Sequence, residues 1–343
     1  MDLSKIFKLA AKKGASDIHI MVGKPPILRI DGELKILKEE PEISDKMAED
    51  LILNWLSETK KEKFLAEKEL DVSYQTDDRV RFRINCHYEK NNLGLVARLI
   101  PAKIPTMEEL LLPNVVYEMT RQKQGLVLVT GPTGCGKSTT LAAMIDLVNK
   151  ERSENIVTLE DPIEFIFSPN KSIIKQREVG TDTLSFAAGL KRVLRQDPNV
   201  IMVGEMRDLE TIATTLTLAE TGHLVFATLH TNNAAQTVDR IIDVFPPHQQ
   251  DQIRTQLSMV LSGVIAQQLL HKKGGGRIAS REIMINTPAV SNLIRENKVA
   301  QIRSVIQTSG DEEMVTMDQD LQRLFKQGLI EKDVAKAYMV DGR

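Results

Sequence analysis

The 343-residue chain is long enough for two domains, each with a core of its own. With 42% hydrophobic and 27% charged residues it reads as globular, and 45 Lys plus Arg against 47 Asp plus Glu leave no overall field to attract nucleic acid or an anionic membrane. Two cysteines, Cys86 and Cys135, exclude a disulfide framework and a four-thiolate zinc site.

The opening MDLSKIFKLAAKK has no signal-peptide core, and no apolar run approaches the ~20 residues that span a bilayer. The chain is therefore expected in the cytosol unless a partner recruits it. Leu3, Ile6, Phe7 and Ala10 fall at helical spacing. Short β-like runs follow over 17–22 and 26–30, with another after the hairpin signal at Asp31 and Gly32. A charged amphipathic helix is predicted over about 44–60. Strands over 70–75 and 79–88 flank a turn at Asp77 and Asp78, and 93–100 closes the set. Residues 1–100 thus read as a mixed α+β module. Pro101 and Pro105 punctuate 101–111, the expected interdomain linker.

From 112 to 343 the pattern changes. Continuous apolar strands at 126–129, 155–159, 200–203 and 224–229 alternate with helical segments, which predicts a parallel sheet covered on both faces. A hairpin is predicted around Gly274 to Gly276, and short helices end the chain.

The first of these strands enters GPTGCGKST: Gly131, Pro132, Thr133, Gly134, Cys135, Gly136, Lys137, Ser138 and Thr139. Glycines let the backbone curl so that N–H groups converge on phosphate oxygens. Lys137 reaches the β and γ phosphates, the Ser138 hydroxyl suits Mg²⁺, and the following helix offers its positive end. The competing explanation is a glycine-rich turn without nucleotide; the strand before and the helix after favour the phosphate loop. Cys135 occupies an unconstrained position and carries no expected chemistry.

Ligands of open α/β sheets bind where the carboxyl ends of the strands converge. Here four strand ends carry polar groups: Thr130 with the loop, Glu160 with Asp161, Glu205, and His230 with Thr231. Each alone has a plain structural explanation, as a turn residue, a cap or a satisfied histidine; their shared position argues for one site. Hydrolysis of a γ-phosphate needs positioned water, Mg²⁺ and positive charge. Glu205 is the candidate to polarise water, and Glu160 and Asp161 to hold Mg²⁺. His223 and His230 flank the fourth strand, with His230 at the productive end.

These residues resemble the PilT family of pilus retraction ATPases, within the secretion ATPase superfamily. GPTGCGKST looks like the family's Walker A, VTLEDPIEF (157–165) like its Asp box, IMVGEMRD (201–208) like its atypical Walker B, and HLVFATLHTNNA (223–234) like its His box. SDIH (16–19), RFRIN (81–85), FPP (245–247) and AQQLL (266–270) extend the likeness along the chain.

The resemblance implies an α/β fold, a RecA-like P-loop NTPase core with a smaller PAS-like α+β domain in front. It implies a homohexamer that hydrolyses ATP with Mg²⁺ in a cleft between the domains, and Glu164 joins Glu160 among the catalytic candidates. Its expected partners are an inner-membrane platform protein, which holds it at the pilus base, and a paralogous retraction ATPase; no nucleic acid is expected. Arg81, Arg83 and Arg98 become candidate arginine fingers, against the plainer reading of RVRFRIN as a solvated strand face. Arg195 and Arg207 are further interface candidates.

AVSNLIREN (289–297) resembles the AIRNLIRE segment of retraction ATPases, departing at Val290 and Ser291. Leu293, Ile294, Val299, Ile302, Val305 and Ile306 predict a buried stripe, leaving Arg295 and Glu296 exposed for coupling. Assembly and type II secretion relatives usually carry a tetracysteine module, absent here. A nucleic-acid translocase and a non-hydrolysing scaffold are the other readings of a RecA-like ring.

Overall fold

The computed structural model describes residues 2–30, 32–76, 80–100 and 103–339. Asp31 of the hairpin signal, the turn at Asp77 and Asp78, the strand start at Arg79, and Pro101 lie outside the described residues. Two compact units emerge: Met1–Lys103 with Pro162–Ile166, and Ile104–Asp161 with Phe167–Arg343.

The first unit contains six strands, β1 Asp17–Ile20, β2 Ile27–Ile30, β3 Glu33–Ile36, β4 Glu69–Gln75, β5 Arg81–Glu89 and β6 Asn92–Ile100. They form one antiparallel sheet in the order β3-β2-β1-β6-β5-β4. Period-two alternation sorts β5: Phe82, Ile84 and Cys86 are fully buried, while Arg81, Arg83 and Asn85 take the other face. The helix Leu3–Lys12 lays Leu3, Ile6, Phe7 and Ala10 into the same core, with Phe7 stacked on Phe82 at 4.7 Å between ring centroids.

One expectation fails here. The single helix predicted over 44–60 is two, Asp45–Leu53 and Glu58–Glu67. The chain turns after Asn54, buries Leu56, and restarts from an extended Ser57 at the second N-cap. Ile52, Leu56 and Phe64 all reach the core across this break.

The second unit contains seven strands, β7 Gly125–Thr130, β8 Asn155–Glu160, β9 Ile173–Glu178, β10 Val200–Val203, β11 Leu224–Leu229, β12 Leu261–His271 and β13 Arg277–Ile285. Their order is β13-β12-β7-β11-β10-β8-β9, parallel throughout except for the antiparallel edge strand β13. The four predicted apolar strands form its middle, and β7, β8, β10 and β11 are buried at every residue, as a sheet covered on both faces requires.

Strand β9, with sequence IIKQRE, carries no clear strand signal, because an edge strand half open to solvent lacks the continuous apolar signature. The predicted hairpin is the β12–β13 connection, where Gly274, Gly275 and Gly276 all have positive φ and Lys272 N–H donates to the Gly276 carbonyl at 3.1 Å. Among the described residues no helix is long and apolar enough to cross a membrane.

Candidate nucleotide site

Parallel pairing puts the carboxyl ends of β7, β8, β10 and β11 on one edge of the sheet. At the first of them, Gly131, Gly134 and Gly136 adopt φ of 139°, 79° and 92°, a region that L side chains rarely enter. A Cβ on Gly131 would run into the Gln267 carbonyl. Gly136 is the N-cap of the helix Lys137–Glu151, and no side chain caps it, so the first N–H groups face outward for an anion. Lys137 Nζ donates to the carbonyls of Gly131, at 2.8 Å, and Pro132, at 3.2 Å, so its ammonium lies across the loop. Pro132, Thr133 and Gly134 are exposed, and Ser138 and Thr139 half-buried. Cys135 is buried beneath Gly131, and burial raises its thiol pKa; it packs the loop from below.

The second strand ends in Glu160, which is buried. Its Oε1 accepts from Thr158 Oγ1 at 2.6 Å and from Gln176 Nε2 at 3.1 Å. Asp161, next along, is exposed. The third strand leads through Gly204, whose N–H donates to the Leu159 carbonyl at 2.8 Å and where a Cβ would lie a tight 3.1 Å from that carbonyl. Thr228 Oγ1 donates to the Gly204 carbonyl at 2.5 Å, and Met206 N–H donates to the Thr228 carbonyl at 3.1 Å. These bonds fix the turn that presents Glu205.

The Glu205 side chain is 19% exposed. Arg207 Nη2 donates to its Oε2 at 2.7 Å, and His230 Nε2, from the end of β11, lies 3.0 Å from its Oε1. Burial pushes the Glu205 carboxyl up, but the Arg207 hydrogen bond and the His230 ring together outweigh it and hold the carboxyl below its ordinary value. The Arg207 guanidinium is raised in turn, first by its bond to Glu205, and it also feels the Asp161 charge. Asp208, in the same motif, is the N-cap of the helix Leu209–Glu220 through Thr211.

The chemistry of the donors tests whether Mg²⁺ fits. Among the described residues no cluster of three or more His, Cys, Asp or Glu can hold a metal ion. Ser138 and Asp161 offer hard oxygens, whereas Glu160 Oε1 is already engaged. The set suits a cation that keeps most of its shell from phosphate and water, which is the habit of Mg²⁺.

Other candidates fall elsewhere. His223 is at the amino end of β11, where its Nδ1 lies 2.9 Å from the Leu218 carbonyl and its own carbonyl accepts from Gly125 N–H. Arg195 is exposed in the short turn Leu194–Gln196 ahead of β10, also at the amino edge of the sheet. The fold therefore separates both from the phosphate loop of their own chain. Glu164 belongs to Pro162–Ile166, grouped with the first unit.

Arg81, Arg83 and Arg98 share the polar face of the first unit's sheet. One rung runs Arg83, Arg98, Asp17, Arg29 across four strands. Arg98 Nε donates to Asp17 Oδ1 at 2.9 Å. Arg81 Nε and Nη1 are buried without a hydrogen-bond partner among the described residues.

The helix Pro288–Arg295 buries Val290 and Ile294, and Val299, Ile302 and Ile306 continue the stripe. Leu293 and Val305 depart from the expectation: both are half-buried and line a groove of about 550 Å³ with Ala289, Asn292, Gln301 and Ser304. The residue spacing turns their side chains to the flank of the stripe rather than its centre. Arg295 and Glu296 are exposed, with Glu296 accepting from Asn292 and Lys298 at 2.9 and 2.7 Å.

Gln267 of β12 is a site residue that the motifs did not single out. It is buried, donates from Nε2 to the Cys135 carbonyl at 2.8 Å, and accepts at Oε1 from Thr140 Oγ1 at 3.0 Å. AQQLL marks the strand, but only the pairing of β12 with β7 places the amide under the loop.

A phosphate loop on a parallel sheet, with an acid and a histidine presented by the neighbouring strand ends, defines a P-loop NTPase with a RecA-like core and a smaller α+β unit before it. The chain belongs to the Type II/IV secretion system protein family, which matches residues 1–332. It is 48% identical to the type IV pilus retraction ATPase PilT of Pseudomonas aeruginosa over 98% of this chain and 97% of the relative. It is 47% identical to a twitching motility protein of Neisseria gonorrhoeae over 91% of this chain and 83% of that one. The crystal structure of the pilus retraction motor PilT with bound ADP superimposes with a TM-score of 0.90 at 48% identity, covering 99% of this chain and 98% of the other.

Proposed function

We propose that the chain is an ATP-hydrolysing motor that powers type IV pilus retraction, and with it twitching motility. The observation that carries this reading is correspondence along nearly the whole chain with a pilus retraction ATPase. The pair of cysteines supports retraction over assembly, since a tetracysteine module has no residues to build it.

In this reading the loop N–H groups and Lys137 receive the phosphates of ATP. Ser138 and Asp161 would hold Mg²⁺, which would supply positive charge to offset that of the phosphates. Glu205, kept ionised by Arg207 and His230, accepts a hydrogen bond from the attacking water and aligns it on the γ-phosphorus. His230 fixes the Glu205 carboxylate through Oε1 and registers the loss of phosphate. Arg207, largely exposed, is free to exchange Glu205 for phosphate or a neighbouring subunit as the site turns over. Arg81, Arg83 and Arg98 form a cationic row suited to charge developing on the γ-phosphate, and Arg195 and His223 are left to subunit contacts.

Six copies form the working ring, held at the cytoplasmic side of the inner membrane by a platform protein and paired in some hosts with a paralogous retraction ATPase. Arg295 and Glu296 couple the ring to that machinery. Purified protein tests the reading: Mg²⁺-dependent phosphate release by a hexamer is expected. Turnover appearing only with added DNA or RNA would point to a translocase instead.

A further inference from the structure

Phosphate binding requires the loop to be held curled before ATP arrives, since several N–H groups must converge at once. Most of the loop's own residues are too small or too exposed to hold it. The hold comes from β12, the parallel neighbour of β7, in which Ala266 lies opposite Thr130. One residue on, Gln267 sits level with the start of the loop.

Gln267 is 1% exposed and uses both ends of its amide. Nε2 donates to the Cys135 carbonyl in the middle of the loop, and Oε1 accepts from Thr140 in the first turn of the following helix. Its backbone carbonyl would lie 2.2 Å from a Cβ on Gly131, too close for any side chain, and its Nε2 would lie 3.4 Å from a Cβ on Gly136. One residue, from a strand outside the four that carry the motifs, thus ties the middle of the loop to the first turn of the following helix and packs closely against its start.

We propose that Gln267 is a positioning residue of the nucleotide site: its buried amide keeps the phosphate loop in the shape that receives phosphate. It touches no reacting atom. Its effect falls on nucleotide affinity, because a relaxed loop must be reordered on each binding event, while a loop already closed on phosphate turns over normally. The proposal rests on the reading of this site as an ATP site.

The test is titration of a fluorescent ADP analogue against the purified full chain, alongside kcat and KM for ATP and the melting temperature without nucleotide. Gln267→Leu, of similar volume, leaves the Cys135 carbonyl and the Thr140 hydroxyl buried and unpaired, and is expected to weaken ADP binding about 10- to 100-fold with kcat within about 3-fold of wild type. Thr140→Val should weaken it by a smaller factor, Thr140→Ser should restore it, and the double variant should be no weaker than Gln267→Leu alone. If Gln267→Leu does not fold, the Thr140 pair decides the question.

Unchanged ADP affinity in folded Gln267→Leu, or equal losses in Thr140→Val and Thr140→Ser, would overturn the proposal. A lower melting temperature with affinity intact would do the same, because it marks a role in folding alone. Wild-type protein that binds no ADP would instead remove the ATP-site reading itself.

Discussion

His230 Nε2 lies 3.0 Å from Glu205 Oε1, joining the ends of two adjacent parallel strands across the sheet edge that carries the phosphate loop. The contact orients Glu205 and, after the Arg207 hydrogen bond, helps to hold its carboxyl below its ordinary value, as the proposed water-polarising role needs. Glu205→Gln keeps the shape and loses the charge. Phosphate release is expected to fall about 100- to 1,000-fold while ATP binding stays within a few-fold of wild type. Turnover near the wild-type rate would remove Glu205 from this role.

Arg207 supplies the hydrogen bond that chiefly opposes the effect of burial on Glu205. In Arg207→Ala burial acts with less opposition, so the carboxyl titrates at higher pH. The acid limb of the kcat profile should then move to higher pH. A kcat-against-pH series on both proteins checks this; an unmoved limb would separate Arg207 from the ionisation of Glu205.

Lys137 sits across its own loop, bonded to the Gly131 and Pro132 carbonyls, which the proposed mechanism has it exchange for phosphate oxygens. Lys137→Ala should lower kcat/KM for ATP by at least about 100-fold, chiefly through charge lost from the transition state. The fold should be intact by circular dichroism, because the ammonium supports no buried core.

Asp17 lies between Arg98 and Arg29 on the polar face of the first unit's sheet. Burial raises its carboxyl, and the Arg98 and Ser16 hydrogen bonds more than offset this, so its pKa in the fold lies below the model-peptide 3.8. A depressed carboxyl stabilises the fold above its unfolded pKa, and that contribution is lost as pH falls through the folded value. Asp17→Asn should cost about 1–2 kcal/mol near neutral pH, with the gap to wild type closing as acid protonates the carboxyl in the folded state. Chemical denaturation at neutral and acid pH measures it. A gap that does not narrow in acid would place the effect in packing rather than charge.

Much of this was legible because parallel strands buried on both faces leave continuous apolar runs, and whatever follows each run lies at one edge of the sheet. That logic put Glu160, Glu205 and His230 beside the loop and assigned His223 to the wrong end of β11 for catalysis. It does not reach contacts made by neighbours distant in sequence. Gln267 lies under the loop because β12 pairs with β7 more than a hundred residues away, and no local pattern encodes that pairing. Nor does it reach loop geometry: Arg207 and Glu205 are two residues apart, and their bond forms beyond the strand, in the turn that Gly204 and Thr228 fix. The break at Asn54 and the half-exposed strand β9 escaped because amphipathic periodicity is insensitive to a short turn and weak at a sheet edge.

The direction in which the motor works is decided by deleting the gene in its host. Surface pili would be counted and twitching scored beside a strain complemented with Glu205→Gln. Abundant pili with twitching lost, and no rescue by the variant, is the predicted result; cells without pili would contradict retraction and make the chain an assembly motor.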